Sequence, residues 1–167
     1  MGTSATDRDI LIIGGGVFGA AVAYDLARNG LGERVLLLER LQPAAGATSR
    51  AAALVTQVRD KPDQMVLAQQ TLRTITELEQ VYDEDIGRHT VGALHVAPTS
   101  HLHVLQARAD LAAAHGIACT WLSHTDALAR APWLAPSSFD HAVLFPDDCY
   151  VEPYLFATAL LRAACAQ

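Results

Sequence analysis

The 167-residue sequence predicts an α/β fold that begins with a strand–helix–strand unit. An apolar strand pattern over residues 9–13 is followed at once by a glycine-rich turn. Residues 17–29 are then rich in alanine, with apolar side chains at helical spacing, and a second apolar run over residues 34–39 ends in an acidic residue. This order is typical of two parallel strands joined by a crossover helix.

The turn carries glycine at the three positions of a dinucleotide-binding pattern, Gly14, Gly16 and Gly19. The first permits a tight turn, the second lets the backbone approach a pyrophosphate, and the third lets the helix pack closely on the strand. A helix N-terminus attracts phosphate through its unpaired N–H groups and partial positive charge. The sequence therefore predicts a dinucleotide site at this turn.

The elements after the turn support the same prediction. Gly30 stands where a left-handed cap is expected, so the helix should end near Asn29. Glu39 ends the second strand, where a carboxylate would accept hydrogen bonds from an adenosine ribose. Glu39 also argues against a 2′-phosphate, as in NADP, although the neighbouring Arg40 weakens that exclusion. On these residues alone NAD stays an alternative.

The segment that follows departs from the usual course of an NAD-binding domain. It combines Gly46, the hydroxyls of Thr48 and Ser49, the guanidinium of Arg50 and a run of small residues. This composition suits close backbone approach and donation to phosphate or ribityl oxygens. The alternative interpretation of Ser49 and Arg50 is a capped loop that faces solvent.

Residues 9–39 and 46–53 together resemble the FAD-dependent oxidoreductases of the D-amino-acid oxidase superfamily, in particular the glycine oxidase, sarcosine oxidase and dimethylglycine dehydrogenase branch. Residues 91–97 and 142–153 also look like recurring segments of that family. The resemblance implies a Rossmann-like FAD-binding unit with an interleaved α+β substrate domain. It also implies oxidation of the C–N bond of an amino acid or a secondary or tertiary amine by hydride transfer to the flavin.

The resemblance bears on how FAD is held. In some relatives a histidine in the small-residue run binds FAD covalently, and Arg50 stands at that position here. Because arginine cannot form that bond, we expect noncovalent FAD. Motif and resemblance assign no catalytic residue and no metal ligand. They predict these cofactor contacts: Gly14, Gly16, Val17, Phe18, Gly19, Glu39, Arg40, Thr48, Ser49, Arg50, Ala51, Ala52, Ala53 and Leu54.

The remaining elements predict an excursion into a second domain. Helical patterns cover residues 65–82, ended by Gly87, and residues 102–115, capped by Gly116. The expected organisation is a flexible leader at 1–8, the first part of the FAD-binding domain at 9–88, a partial substrate domain at 89–145 and a return helix at 146–167. Further predicted elements are strands over 90–97 and 117–122, a short helix over 123–134 ended by Pro132 and Pro136, and a helix over 154–167.

Members of the resembled family are considerably longer, so the chain is expected to be a truncated, N-terminal part. Three alternatives remain: a cofactor-holding subunit or fragment that is inactive without a partner chain, a nonfunctional remnant, and an NAD-binding module unrelated to flavin. An incomplete sheet would favour binding to a partner subunit or self-association.

Composition excludes several classes of protein. A net charge of −6 speaks against a nucleic-acid surface, and no apolar stretch suits a membrane span. Three widely spaced cysteines without a CxxC pattern suit reduced thiols in the cytoplasm and no zinc site. His101 and His103 are two positions apart, a spacing that on one helix would direct their side chains away from each other.

Overall fold

The structure is a computed structural model that describes residues 8–167, so the predicted leader lies outside the described residues except for Arg8. Helices and strands alternate along most of the described chain. The helices are α1 Val17–Leu26, α2 Pro62–Val81, α3 Leu102–Ala114, α4 His124–Arg130 and α5 Pro153–Cys165. The strands are β1 Ile10–Ile13, β2 Val35–Leu38, β3 Leu54–Val55, β4 Ala93–Ala97, β5 Thr120–Leu122, β6 His141–Phe145 and β7 Cys149–Tyr150.

The chain divides into two compact units. The first unit comprises the described part of Met1–Ala53 with Leu72–Arg88 and Val151–Gln167, and the second comprises Leu54–Thr71 and His89–Tyr150. The chain therefore leaves the first unit and returns to it, as in an interleaved organisation. These boundaries differ from the predicted domains because β3 pairs with β7 in antiparallel register, which groups both strands with the second unit.

The first unit contains the predicted strand–helix–strand arrangement. β1 and β2 pair in parallel, with Ile10 opposite Val35 and Ile13 opposite Leu38. Beyond α1 the chain passes through a wider turn, Ala27–Leu31, in which Gly30 has a φ of 76°. This left-handed glycine ends the helical segment where the sequence predicts it.

Helices α1 and α5 pack against each other in the first unit. Both present small side chains, because Ala20 and Ala23 of α1 and Ala157 and Ala163 of α5 are buried. Small side chains at a helix contact let the two axes approach closely. This packing keeps α1, and with it the glycine-rich turn, in a fixed position within the unit.

The second unit is built on a three-stranded antiparallel sheet in the order β4-β6-β5. Its central strand places Val143 and Phe145 in a core with Leu105 of α3. On the opposite face Ala142 packs with Ala127 of α4. Side chains of a strand alternate between the two faces of a sheet, so β6 is covered on both sides.

Two local predictions are wrong. Helix α2 ends at Val81, one residue before the predicted end of its helical pattern, but Gly87 does not terminate it. Asp83 takes a φ of 54° and the Glu84 N–H donates to the carbonyl of Leu78, so the chain leaves the helix before Gly87. The rings of His101 and His103 lie nearly parallel with centroids 6.3 Å apart. They do not point away from each other, because His101 belongs to a 3₁₀ turn that precedes α3.

Candidate cofactor site

The glycine-rich turn has the backbone conformation that its sequence pattern requires. Gly14 has a φ of 103°, and its N–H donates to the carbonyl of Leu38 at 2.7 Å, which fastens the turn to the end of β2. A Cβ atom on Gly19 would lie 1.9 Å from the carbonyl oxygen of Gly14. Glycine at position 19 is therefore a steric requirement of the turn itself.

The N-terminus of α1 opens beside Gly16. Gly16 is the N-cap residue, and no side chain of its own can cap the helix. The Val17 N–H donates to Oγ1 of Thr48 at 3.0 Å. A Cβ on Gly16 would meet only that same Oγ1, at 3.1 Å, so the space beside Gly16 is bounded by a single hydroxyl.

Glu39 connects the turn to the segment that follows β2. Its Oε2 accepts from the Gly15 N–H at 2.7 Å, and its Oε1 accepts from the Leu41 N–H at 2.9 Å. These backbone donors, that of Leu41 foremost, hold the pKa of the Glu39 carboxyl below its usual value. The group is therefore an anion at neutral pH, and because a carboxylate has about four acceptor sites it keeps room for a further donor.

The loop after β2 lies against the glycine-rich turn. The Ala44 N–H donates to the carbonyl of Gly15 at 2.9 Å, and Ala44 is buried with a φ of 61°. The Ser49 hydroxyl donates to the carbonyl of Gly46 at 3.2 Å, within its own loop. Thr48 and not Ser49 is thus the hydroxyl that contacts the helix N-terminus.

These residues enclose a cleft of about 540 Å³, here called the glycine cleft. Nine predicted contacts line it: Gly14, Gly16, Val17, Phe18, Gly19, Glu39, Arg40, Thr48 and Arg50. Four do not line it: Ser49, Ala51, Ala52 and Ala53, while Leu54 forms β3 of the second unit. Six lining residues were not among the predicted contacts: Ile13, Leu41, Ala44, Ala45, Gly46 and Ala47. Gly46 and Ala47 belong to the segment over 46–53 that resembles the family, whereas the small or apolar side chains of the other four carry no motif that would have identified them.

The glycine cleft has the donors and acceptors that a dinucleotide needs. Backbone N–H groups at a helix N-terminus and the guanidinium groups of Arg40 and Arg50 suit a pyrophosphate. Glu39 is the one carboxylate among the lining residues, and a carboxylate suits ribose hydroxyls. Ile13 and Phe18 are 83% and 87% exposed and supply apolar surface for a planar ring. The residues present therefore fit such a cofactor.

A buried carboxylate marks the second unit. Asp148 is 3% exposed, and its Oδ1 accepts from the Gln57 N–H at 3.0 Å and from Nε2 of Gln57 at 3.4 Å. Burial raises the pKa of Asp148 above its usual value, and burial also lowers the pKa of the half-buried His95. No sequence pattern indicates the pairing of residues 57 and 148, which are far apart in the chain.

The described residues contain neither a membrane-spanning helix nor a cluster of metal ligands. Between Arg8 and Gln167, no helix combines the length and the apolar character that a membrane crossing requires. Over the same range, no three histidine, cysteine, aspartate or glutamate side chains come together as metal ligands would.

Comparison with known proteins extends this description. 4-Methylaminobutanoate oxidase (formaldehyde-forming) of Paenarthrobacter nicotinovorans is 32% identical over 155 residues, which are 92% of this chain and 19% of that protein. Mitochondrial sarcosine dehydrogenase of Homo sapiens is 30% identical over 165 residues, 95% of this chain and 17% of that protein. The crystal structure of glycine oxidase from Geobacillus kaustophilus matches with a TM-score of 0.75 at 29% identity, covering 96% of this chain and 45% of that one.

The chain thus spans less than a fifth of the length of these two curated relatives and less than half of the solved structure. A family model described as FAD dependent oxidoreductase matches residues 9–167. That match includes the glycine-rich turn, Glu39, the loop over Thr48 and Arg50, and the whole second unit. FAD, as the resemblance implied, is the cofactor of this family. The chain belongs to the family of FAD-dependent oxidoreductases.

Proposed function

We propose that this protein oxidises the C–N bond of an amino acid or of a secondary or tertiary amine, with FAD held noncovalently in the glycine cleft. One observation carries the proposal. The Glu39 carboxylate and the N-terminus of α1 line the same cleft, so the partners for a ribose and for a pyrophosphate stand together.

Each group in the glycine cleft has a separate task in this proposal. The N–H groups at the start of α1 bind pyrophosphate oxygens, and Arg40 and Arg50 add positive charge. Glu39 accepts from ribose hydroxyls through the lone pairs that Gly15 and Leu41 leave free. The two backbone bonds hold the carboxylate in place before the cofactor arrives, which reduces the entropy lost on binding.

The reaction class rests on the relatives. Their names state oxidation of 4-methylaminobutanoate, of sarcosine and of glycine, and all three substrates carry a carboxylate and an amine. FAD, when bound, accepts a hydride from the carbon beside the amine nitrogen. The chain's own contribution is to bind and orient the cofactor, and no residue described here is assigned to the chemical step.

A second candidate function is a cofactor-holding part that needs a partner chain for activity. The exposed apolar face of the β1–β2 pair favours it, because parallel strands are normally covered on both faces. In this second candidate function, the exposed face of β1 and β2 binds a partner subunit or a second copy of the chain. An NAD-binding module is disfavoured by the family match, which includes the loop over Thr48 and Arg50. A cytoplasmic location is also proposed, and it rests only on the number and spacing of the cysteines.

The test is cofactor binding to the purified chain. We expect FAD to bind more tightly than NAD, and acid precipitation to release all flavin into the supernatant. Gly16→Val should abolish binding, because its side chain occupies the space that a pyrophosphate needs. Gly32→Ala is the matched control, since that glycine has a negative φ and a Cβ there meets only ordinary contacts at 3.4 Å.

Three results would count against the proposal. Equal affinity for FAD and NAD would favour the NAD-binding module. Unchanged FAD affinity in Gly16→Val would remove the glycine cleft as the site, and flavin that stays on the precipitated chain would exclude noncovalent binding. Anaerobic bleaching of the flavin by glycine, sarcosine or proline separates the two candidates, because a cofactor-holding part alone leaves the flavin oxidised.

A further inference from the structure

A second concavity lies on the second unit, here called the Trp133 pocket. It has a volume of about 450 Å³. One wall is the face of β4 and β6 that carries Leu94, Val96 and Leu144, and the other is the chain after α4, including Trp133 and Leu134. Leu94 and Leu144 are direct partners in the sheet register, so this wall has a fixed geometry.

The wall depends on a close approach at Gly92. This residue has a φ of 75°, and a Cβ there would lie 3.1 Å from the carbonyl oxygen of Phe145. Its N–H donates to the carbonyl of Asp148 at 2.9 Å. The backbone at the edge of the pocket is therefore held against β6 and is not a freely moving loop.

Arg130 is the charged residue that lines the Trp133 pocket. It is the last residue of α4, and no aspartate or glutamate lines the pocket with it. Within residues 8–167 no carboxylate lies within ion-pair distance of its guanidinium, whereas Arg108 in the same unit pairs with Asp60 at 3.6 Å. The Trp133 pocket therefore has an apolar interior and, in the Arg130 guanidinium, one positive charge without a carboxylate partner in the described chain.

The rim of the pocket exposes large apolar surface. Trp133 is 80% exposed and Val91 is 64% exposed. Neighbouring exposed apolar side chains are typical of ligand or partner sites, and burial of an aromatic ring contributes much of the energy of such a site. An occupant with an apolar body and one negative charge satisfies both features, because its body covers Trp133 and Val91 while its anion pairs with Arg130.

We infer that the Trp133 pocket is a binding site for a small organic carboxylate with an apolar body, such as an aryl or branched aliphatic acid. The guanidinium of Arg130 holds the carboxylate, and Trp133 with Leu134 and Leu94 receives the body. A planar guanidinium binds a carboxylate through two parallel hydrogen bonds, which a neutral amide cannot reproduce. The site discriminates by charge as well as by shape.

The experiment titrates phenylacetate, with phenylacetamide as the uncharged probe, into the flavin-free chain. The chain has two tryptophans, so Trp121→Phe leaves Trp133 as the reporter for fluorescence. We expect saturable quenching with a dissociation constant on the order of millimolar, as suits a ligand of this size. Phenylacetate should bind roughly tenfold more tightly than the amide, and added salt should reduce that difference.

Arg130→Gln should remove the preference for the acid and leave binding of the amide unchanged. The matched control is Arg34→Gln, an exposed arginine that pairs with Asp9 in the first unit. Should Trp121→Phe fail to fold, the indole N–H resonances of the unmodified chain report the same titration. Equal affinity for acid and amide overturns the inference, as does an acid preference that survives in Arg130→Gln or is lost in Arg34→Gln. Because the titration contains no flavin, its failure leaves the proposed function untouched, and failed FAD binding leaves this inference untouched.

Discussion

The parallel β1–β2 sheet of the first unit and the three-stranded sheet of the second unit differ in how their faces are covered. In the first unit β1 and β2 alternate strictly, and one face exposes Leu11 and Leu36 to solvent. In the second unit the central strand β6 is buried along Ala142 to Phe145, with helices on both sides. The apolar sequence runs are similar, so burial depends on how many elements surround a strand and not on the strand alone.

The same contrast applies to polar groups. The carboxylate of Glu39 in the first unit is only partly buried and keeps lone pairs for a ligand, and its pKa lies below the usual value. Asp148 in the second unit is buried, and its pKa lies above the usual value. One carboxylate is held ready for a ligand, whereas the other closes a structural connection with Gln57. The following predictions test this division.

The largest effect is expected from Gly19→Ala. Its Cβ would lie 1.9 Å from the carbonyl oxygen of Gly14, so the turn must move, at a cost of about 3 kcal/mol or more. We expect loss of FAD binding, measured by flavin fluorescence. Trp121 and Trp133 both lie in the second unit, so their emission should stay unchanged.

Gly92→Ala is the comparison variant in the second unit. It should disturb tryptophan emission and leave FAD binding intact, because its Cβ meets Phe145 and Pro146. A change of tryptophan emission in Gly19→Ala would show that the two units do not respond separately. The turn and the second unit would then form one cooperative structure.

The glycine-rich turn also shows how far the sequence could predict the site. Gly14, Gly16, Gly19 and Glu39 could be predicted because each has a steric or chemical requirement that few residues satisfy. Ala44 could not, since its position against Gly15 depends on a positive φ that nothing in an alanine-rich segment indicates. The residue that ends α2 could not be predicted for the same reason, because Asp83 takes the left-handed conformation usually reserved for glycine.

Contacts between residues that are far apart in sequence also could not be predicted. The sequence placed most helices and strands correctly, but no local pattern pairs Gln57 with Asp148 or β3 with β7. Such contacts depend on the tertiary arrangement of segments that are distant in sequence. This is why the predicted domain boundaries and the compact units differ over residues 54–71 and 146–150.

The second prediction concerns the exposed face of β1 and β2. Leu11 and Leu36 are direct partners on this face, and apolar surface of this kind promotes association. If the face associates, the double variant Leu11→Lys/Leu36→Lys should shift the chain to the monomer in sedimentation velocity at equal concentration. Val104→Lys, at an exposed position on α3, is the control and should leave the size distribution as it is. A chain that is monomeric before substitution would contradict association through this face.

The third prediction concerns Asp148. Asp148→Ala leaves the buried N–H of Gln57 without its acceptor and should cost about 1–3 kcal/mol in urea unfolding followed by tryptophan emission. Asp148→Asn keeps an acceptor oxygen and removes a buried charge, so it should be at least as stable as the original chain at pH 7. A cost in Asp148→Asn equal to that of Asp148→Ala would show that the charge itself is required.

A smaller effect follows from His95 as the pH falls. Burial holds the pKa of His95 below 6.5, so the folded second unit binds this proton less readily than the unfolded chain. The stability from neutral His95 is therefore present above pH 6.5 and is lost as the pH falls through the lower folded pKa. Asp148 titrates with the opposite sign, since its raised pKa adds stability on acidification. As the pH is lowered from 7 to about 5, urea midpoints should therefore fall in the Asp148→Asn background and remain flat when His95→Gln is added.

The smallest effect is expected at Ala53, which has a φ of 48° in the first unit. An alanine in this conformation costs about 1–2 kcal/mol, while glycine loses roughly 0.5–1 kcal/mol more chain entropy on folding. Ala53→Gly should therefore raise the free energy of unfolding by up to about 1 kcal/mol, measured by circular dichroism in urea. Ala52→Gly, at a residue without a positive φ, should lower it by about 0.5–1 kcal/mol. The carbonyl of Ala53 accepts from the Val151 N–H at 3.3 Å, and a glycine at this position keeps that acceptor. Equal losses of unfolding free energy in Ala53→Gly and Ala52→Gly would mean that the backbone at Ala53 is not strained. The chain at Ala53 would then be held by its hydrogen bond to Val151 alone.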